Sequence, residues 1–170
     1  MPKNIIKLII IRGPLGIGKT TVAKLLAQKL SGQYVSIDDI LHKNKLDLTE
    51  DIPLKNFLKV NEIIAAKYKN CHRTLIVDGN FYFKKQIIHL KKKLPGAKYI
   101  FTLQAPLWVC MKRNRRRGPQ YSDDAARAVF KLVNRFDYGI QINTKDSTPG
   151  DIVKFICKFA RRRDLQMKTR

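Results

Sequence analysis

Negative charge is what this sequence has least of. Its 170 residues include 13 Asp and Glu against 35 Lys and Arg, a formal net charge of +22. Such a field attracts polyanions and speeds their encounter; a solvated basic surface without a partner has the same composition. Cysteine is also sparse. Cys71, Cys110 and Cys157 are odd in number, widely spaced and form no C-x-x-C pair. That excludes a disulfide framework and a zinc knuckle, and it suits reduced thiols in the cytoplasm. His42, His72 and His89 are scattered, so no histidine metal site is indicated. Long apolar runs are missing too. The longest, Ile5 to Ile11, is interrupted by Lys7 and falls far short of the roughly 20 residues a membrane helix needs. It leads into Arg12-Gly13 without a small-residue cleavage site, which reads as a buried strand and not as a signal peptide. No internal repeat or low-complexity linker divides the chain, and residues 1–170 are expected to form a single domain.

What the sequence does have is alternation. Apolar, β-branched segments at Ile5 to Ile11, Tyr34 to Ile37, Thr74 to Val77, Tyr99 to Leu103 and Ile140 to Ile142 read as strands. Between them lie helical patterns. Val22, Ala23, Leu25, Leu26 and Leu30 share helical spacing until Ser31-Gly32; Phe57, Leu58, Ile63 and Ile64 form a face behind Pro53; Ile87 to Leu94 ends at Pro95-Gly96. A helix over Leu107 to Arg116 stops at Gly118-Pro119, Ser122 can cap the next, and Thr148 with Pro149 can open the last. The basic run Arg161 to Arg170 is expected to fray beyond that helix. Strands separated by helices imply an α/β fold, a parallel sheet covered on both faces.

The most specific signal follows the first strand. Gly13-Pro14-Leu15-Gly16-Ile17-Gly18-Lys19-Thr20 fits G-x-x-x-x-G-K-[ST] with no departure, in the required strand–turn–helix context. Glycines at this spacing let several backbone N–H groups turn inward as an anion nest, and the helix that starts near Lys19 aims its positive end at the same point. In this motif Lys19 reaches the β- and γ-phosphates of a nucleotide and the Thr20 hydroxyl ligates Mg²⁺. Thr21 adds a hydroxyl near the α-phosphate. The expected ligands are therefore ATP and Mg²⁺.

Three carboxylates follow two successive strands. Asp38 and Asp39 follow the second, where ligands of an open parallel sheet bind. A carboxylate there can take the proton of an attacking hydroxyl; a pair of aspartates can also simply cap the next helix. Asp78 follows the third strand in "LIVDGN", the position from which a carboxylate organises Mg²⁺, although Asp-Gly is turn chemistry as well. Farther on, "KRNRRRGPQY" carries Arg113, Arg116 and Arg117, with Arg113 and Arg117 four apart on one helical face. Guanidinium groups clamp phosphate bidentately, and a solvated basic helix end is the plainer use of such a run.

With these residues in place the sequence resembles the P-loop NTPase superfamily, in particular its nucleotide, shikimate and polynucleotide kinase branch. The resemblance implies a three-layer fold, a five-stranded sheet in order 2-3-1-4-5 and a short arginine-rich lid, about residues 112–122. The Asp38-Asp39 pair and the lid pattern Lys-Arg-Asn-x-x-Arg-Gly are similar to those of phage-type polynucleotide 5′-hydroxyl kinases. By that likeness Asp38 is the general base, Arg117 contacts the transferring phosphate and Arg113 is a second lid arginine. "NTKDSTPGDIV" resembles the segment that lies against adenine, through backbone groups around Asn143 and Thr144. One position departs: that family carries an arginine shortly after its aspartate pair, and Leu41 stands there in this chain. The expectation is a kinase transferring the γ-phosphoryl of ATP to a hydroxyl, with the charge favouring an RNA or DNA 5′-hydroxyl. A small-molecule kinase, including one for nucleosides or nucleotides, is the alternative. A nucleic-acid-binding ATPase is the third reading.

Overall fold

The computed structural model describes the backbone of residues 8–49, 51–118 and 121–168, with side chains through residue 161. Among these residues the chain runs β1 (Leu8–Arg12), α1 (Lys19–Lys29), β2 (Gln33–Ser36), α2 (Ile37–Lys43), α3 (Leu54–Tyr68), β3 (Leu75–Gly79), α4 (Lys84–Lys93), β4 (Lys98–Gln104), α5 (Leu107–Arg115), α6 (Asp123–Val133), β5 (Ile140–Asn143) and α7 (Pro149–Lys168). The strands pair in parallel in the expected order β2-β3-β1-β4-β5. Parallel neighbours need crossovers, and the helices that supply them cover both faces of the sheet. That is why β1 is continuously apolar rather than alternating. Its Ile9 and Ile11 pack with Val22 and Leu26 of α1 and Ile152 and Ile156 of α7. Leu8 and Ile10 pack with Phe57 and Ile64 of α3 and Ile87 and Leu90 of α4.

Local chemistry sets the helix ends. Ser122 accepts from Ala125 N and opens α6 with Asp123 and Asp124 in its first turn. Thr148 and Asp151 form a reciprocal cap on α7: Asp151 N donates to Thr148 Oγ1 and Thr148 N donates to Asp151 Oδ2.

Several boundaries differ from the sequence expectation. β2 ends at Ser36, whose hydroxyl accepts from Asp39 N and caps α2, so Ile37 is already helical and Asp38 and Asp39 lie in the first turn. Pro53, expected as an early helical position, is the N-cap of α3. α4 begins three residues early, at Lys84. Residues 112–115 of the expected lid are the last turn of α5. The tail expected to fray is helical: α7 continues through Lys168, carrying on from the Ile152, Ile156 and Ala160 stripe that seats it on the core. Residues 5–7 of the expected first strand, lid residues 119 and 120, and tail residues 169 and 170 lie outside the described residues.

The register places the business end. Ser36 pairs with Asp78, Asp78 with Ile11 and Gly79 with Arg12, so three strands end level at the carboxyl edge. Residues 13–20, 37–39 and 80–83 all spring from that edge.

Candidate active site

The phosphate loop is moulded by its neighbours. Gly16 sits in the left-handed region at φ 73°, and a Cβ there would lie 2.1 Å from the carbonyl oxygen of Cys110 on α5. Only glycine allows both the turn and this approach. Gly18, at φ 102°, is the N-cap of α1 and faces open space, with nothing within 4 Å of a Cβ. The open space is the cradle an anion would fill at a helix N-terminus. Lys19, buried at 8% exposure, folds back so that Nζ donates to Pro14 O at 2.8 Å. Gly13, Pro14, Leu15 and Ile17 complete the loop; Thr20 and Thr21 enter α1.

Charges converge on Lys19. Burial lowers its ammonium below the ordinary lysine range, Asp38 and Asp78 oppose that, and Arg117 reinforces it. Burial raises the carboxyl of Asp38 above the usual carboxylate range; Lys19 pulls it back, while Asp39 and Asp47 push it further up. Asp38 keeps an exposed surface, so its carboxylate is crowded by protein without being closed over. Asp78, 3% exposed, is likewise raised first by burial, against a hydrogen bond from Thr20 and the charge of Lys19. Tyr34 also donates to Asp78 Oδ2, at 3.2 Å.

Thr20 and Asp78 thus form a hard-oxygen pair beside the phosphate cradle, and among the described residues no group of three or more metal-ligating side chains exists. A hydroxyl and one carboxylate suit Mg²⁺, which keeps waters and phosphate oxygens for most of its shell. The residues fit the ion.

The arginines part company. Arg113 donates to Thr144 Oγ1 at 3.1 Å and to Thr144 O at 2.8 Å, with longer contacts to Lys145 O and Ile17 O. Its guanidinium therefore ties α5 to the phosphate loop and to the segment after β5. Arg116 and Arg117 are exposed, and with Arg113, Gly18, Thr21, Thr144 and Ser147 they border a cleft of about 290 Å³. Thr144 is buried at 1% exposure, its N–H bonded to Gln104 O at 2.8 Å. Asn143 faces elsewhere, into a hollow with Gln104, Pro106 and Asn134, and its Oδ1 accepts from Lys145 N. The structure brings Lys19, Thr20, Asp38, Asp78 and Arg117 together and leaves Asn143 outside the cleft.

Other residues went unnoticed in the sequence. Tyr34 lies two residues before the strand end that Asp78 pairs with, a relation only the register reveals. Arg12, 1% exposed, donates to Phe81 O at 3.2 Å and to Val133 O and lies 4.3 Å over the Phe136 ring. Burial lowers its pKa to about 10 against the attraction of Asp137. Asn44-Lys45-Leu46-Asp47 has the spelling N-K-x-D associated with guanine recognition, but it is a helix stop: Asn44 caps α2 with Nδ2 on Ile40 O, Lys45 turns at φ 53° and Asp47 pairs with His42.

Residues 9–129 match the family described as AAA domain. The chain is similar to a putative adenylate kinase of Pyrococcus abyssi, 27% identical over 88% of this chain and 81% of the relative. It is similar to a guanylate kinase of Prochlorococcus marinus, 26% identical over 91% and 98%. Among solved structures, a gluconokinase from Sinorhizobium meliloti superposes with a TM-score of 0.72, covering 99% of this chain and 100% of that one at 15% identity, a likeness of fold.

Proposed function

Because the chain belongs to the AAA domain family and is a P-loop kinase, we propose that it transfers the γ-phosphoryl group of ATP, in the presence of Mg²⁺, to a hydroxyl on a small-molecule acceptor. Residues 1–170 act as one kinase domain. The observation that carries the reading is the Asp38 carboxylate lying within the field of Lys19 at the phosphate loop. Backbone N–H groups of residues 13–20 take the triphosphate, and Lys19 leaves Pro14 O for the β- and γ-phosphates. Thr21 lies toward the α-phosphate and Thr144 toward the base. Thr20 and Asp78 would hold Mg²⁺, which neutralises charge on the phosphates when bound. The acceptor oxygen bonds to the γ-phosphorus as the bond to the β,γ-bridging oxygen breaks; the electron pair leaves with ADP and the hydroxyl proton passes to Asp38. Arg117 meets the transferring group. Arg113 serves from behind, holding the lid root against the loop that Thr144 occupies. Closure of the lid over the site excludes water and suppresses hydrolysis.

The net charge of +22 favours a second reading, a 5′-hydroxyl of RNA or DNA as acceptor. One assay separates them. Protein, Mg²⁺ and γ-labelled ATP are incubated with small hydroxyl compounds and with 5′-hydroxyl and 5′-phosphorylated RNA. Label on a small compound is the expected result. Label on the 5′-hydroxyl RNA alone, with affinity falling at a log–log slope near −0.7 per phosphate contact as salt rises, supports the second reading. Label released only as inorganic phosphate overturns both in favour of an ATPase.

A further inference from the structure

Opposite the phosphate loop, side chains from four distant parts of the sequence meet. Ser36 and Asp78 are register partners, so Asp38 and Asn80 each lie two residues past a paired position at the same sheet edge. Asn80 Nδ2 donates to the Tyr82 hydroxyl at 2.7 Å, and the Tyr82 ring stands edge-on to Phe57 of α3 with centroids 5.8 Å apart. Across the gap, Asn114 Nδ2 holds Tyr121 by its carbonyl at 3.1 Å and leaves the phenol 48% exposed. Burial first, and then the charge of Asp38, raise the phenols of both Tyr82 and Tyr121, and Tyr121 adds to the rise at Tyr82.

The loop that carries Asn80 and Tyr82 is held under strain. Phe81 between them adopts φ 50°, a left-handed conformation costly for a bulky residue. It is held there by a fully buried ring and by Arg12 Nε on its carbonyl. Strain of this kind persists where surrounding structure enforces it, and it gathers at ligand sites. What the strain presents is an unfinished polar group. Asn80 is 6% exposed, and its Oδ1 is buried without a hydrogen-bond partner among the described residues. A buried carbonyl oxygen left bare is destabilising until something donates to it. The Tyr82 hydroxyl accepts from Asn80 and keeps its own proton free to donate.

The charge of this side is unlike that of the rest of the chain. Residues 37 to 72 hold no arginine and balance six lysines with six acids, in a chain whose net charge is +22, and Asp38, Asp39 and Asp47 are the charges among them that bear on the site. Guanidinium groups are the usual clamp for an anionic substrate, and a phosphate placed among these carboxylates would be repelled.

We propose that Asn80, Tyr82 and Tyr121 select the acceptor, and that it is an uncharged ring compound with at least two hydroxyls. One hydroxyl is presented to Asp38 and receives the phosphoryl group. A neighbouring hydroxyl donates to Asn80 Oδ1 and accepts from Tyr82 O–H, while the ring rests against the two tyrosines. Nucleosides and cyclic polyols, sugars among them, share this chemistry. The inference rests on the kinase reading above and narrows it.

The test is steady-state transfer from γ-labelled ATP to nucleosides, cyclic polyols and sugars, the corresponding monophosphates, and a 5′-hydroxyl oligonucleotide. The expected result is transfer to a nucleoside or to a cyclic polyol, the arms telling these apart, with the monophosphate of the same compound at least tenfold poorer in kcat/KM. For that acceptor, Asn80→Ala raises KM by roughly tenfold or more while KM for ATP is unchanged. Tyr82→Phe keeps the ring and the fold and gives the same split to a smaller degree; Tyr121→Ala, at an exposed site, provides a third reading if Asn80→Ala folds poorly. A monophosphate or the oligonucleotide as the better acceptor overturns the inference and leaves the kinase reading standing. So does an acceptor KM that none of the three variants moves. Label on no acceptor, with ATP hydrolysed, overturns the kinase reading along with it.

Discussion

The two halves of the cleft are built by opposite means. The phosphate half is backbone, eight consecutive residues, Gly13 to Thr20, bent into a cradle and pressed against α5 at Gly16. The side assigned above to the acceptor is side chain: Asp38, Asn80, Tyr82 and Tyr121 come from three separate segments, with Asn80 hydrogen-bonded to Tyr82 and both phenols within the field of Asp38. A backbone cradle reads only what every nucleoside triphosphate shares. A side-chain wall can be rewritten one residue at a time without disturbing the cradle. Such a division suits a fold that also occurs in a gluconokinase.

If the halves are separable, each should break alone. Asp38→Asn is the largest expected effect: transfer falls about 10²- to 10⁴-fold while ATP affinity, measured by calorimetry, is retained. Unchanged transfer would remove Asp38 as the base. Gly16→Ala should break only the other half. The left-handed backbone costs an alanine about 1–2 kcal/mol and the clash with a carbonyl costs about 1–3 kcal/mol more, so ATP affinity drops on the order of 10²-fold. Normal ATP binding in that variant would mean that α5 can retreat from the loop.

A smaller, graded effect sharpens the acceptor half. Asp38 has its carboxyl raised by burial, with Asp39 and Asp47 adding to the rise, Lys19 opposing it, and Tyr82 and Tyr121 facing it as neutral phenols. A base must be ionised to accept a proton, so activity is lost as pH falls through this raised value and regained above it. The acid limb of kcat/KM should therefore lie above the ordinary carboxylate range, near 4, with a slope of tenfold per pH unit, and Asp38→Asn should flatten it. A limb at or below that range would place the base elsewhere. The smallest effect belongs to neither half. Thr148→Ala removes the cap of α7 and costs about 1 kcal/mol, a fall of roughly 2–4 °C in Tm for a domain this size, with both KM values unchanged. A rise in KM for ATP would show that the cap also positions Thr144.

The same contrast governs what the sequence could reveal. The alternation of strands and helices, the phosphate loop and the carboxylates that follow β2 and end β3 were legible because each is written in contiguous residues or a short period, and the strand order came with the family resemblance that the loop carries. Arg113 was expected at phosphate and lies on the carbonyls of Thr144, Lys145 and Ile17, because α5 crosses the loop at Gly16, a tertiary fact no local pattern contains. Asn143 and Thr144 are neighbours in sequence, yet the strand pleat sends one away from the cleft and buries the other beside it. The tail beyond Arg161 looked too basic to stay ordered, and its helix persists because the turns before it are anchored on the core. Asn80 and Tyr121 close two of the quoted stretches, but nothing in those stretches relates them, or Tyr82, to Asp38; only the fold does.

Arg12 has a consequence for how the protein is made. The phosphate motif is complete in the chain by Thr20, but the guanidinium at its root is bonded to carbonyls 69 and 121 residues later, at Phe81 and Val133. On a ribosome adding roughly 5–20 residues per second, the interval between Thr20 and Val133 is about 6–23 s. Throughout it the nascent chain bears every letter of a nucleotide-binding loop above an arginine that has not yet met its last partner. A chain cut short before α6 keeps the motif in its sequence without the Val133 carbonyl on which Arg12 is anchored.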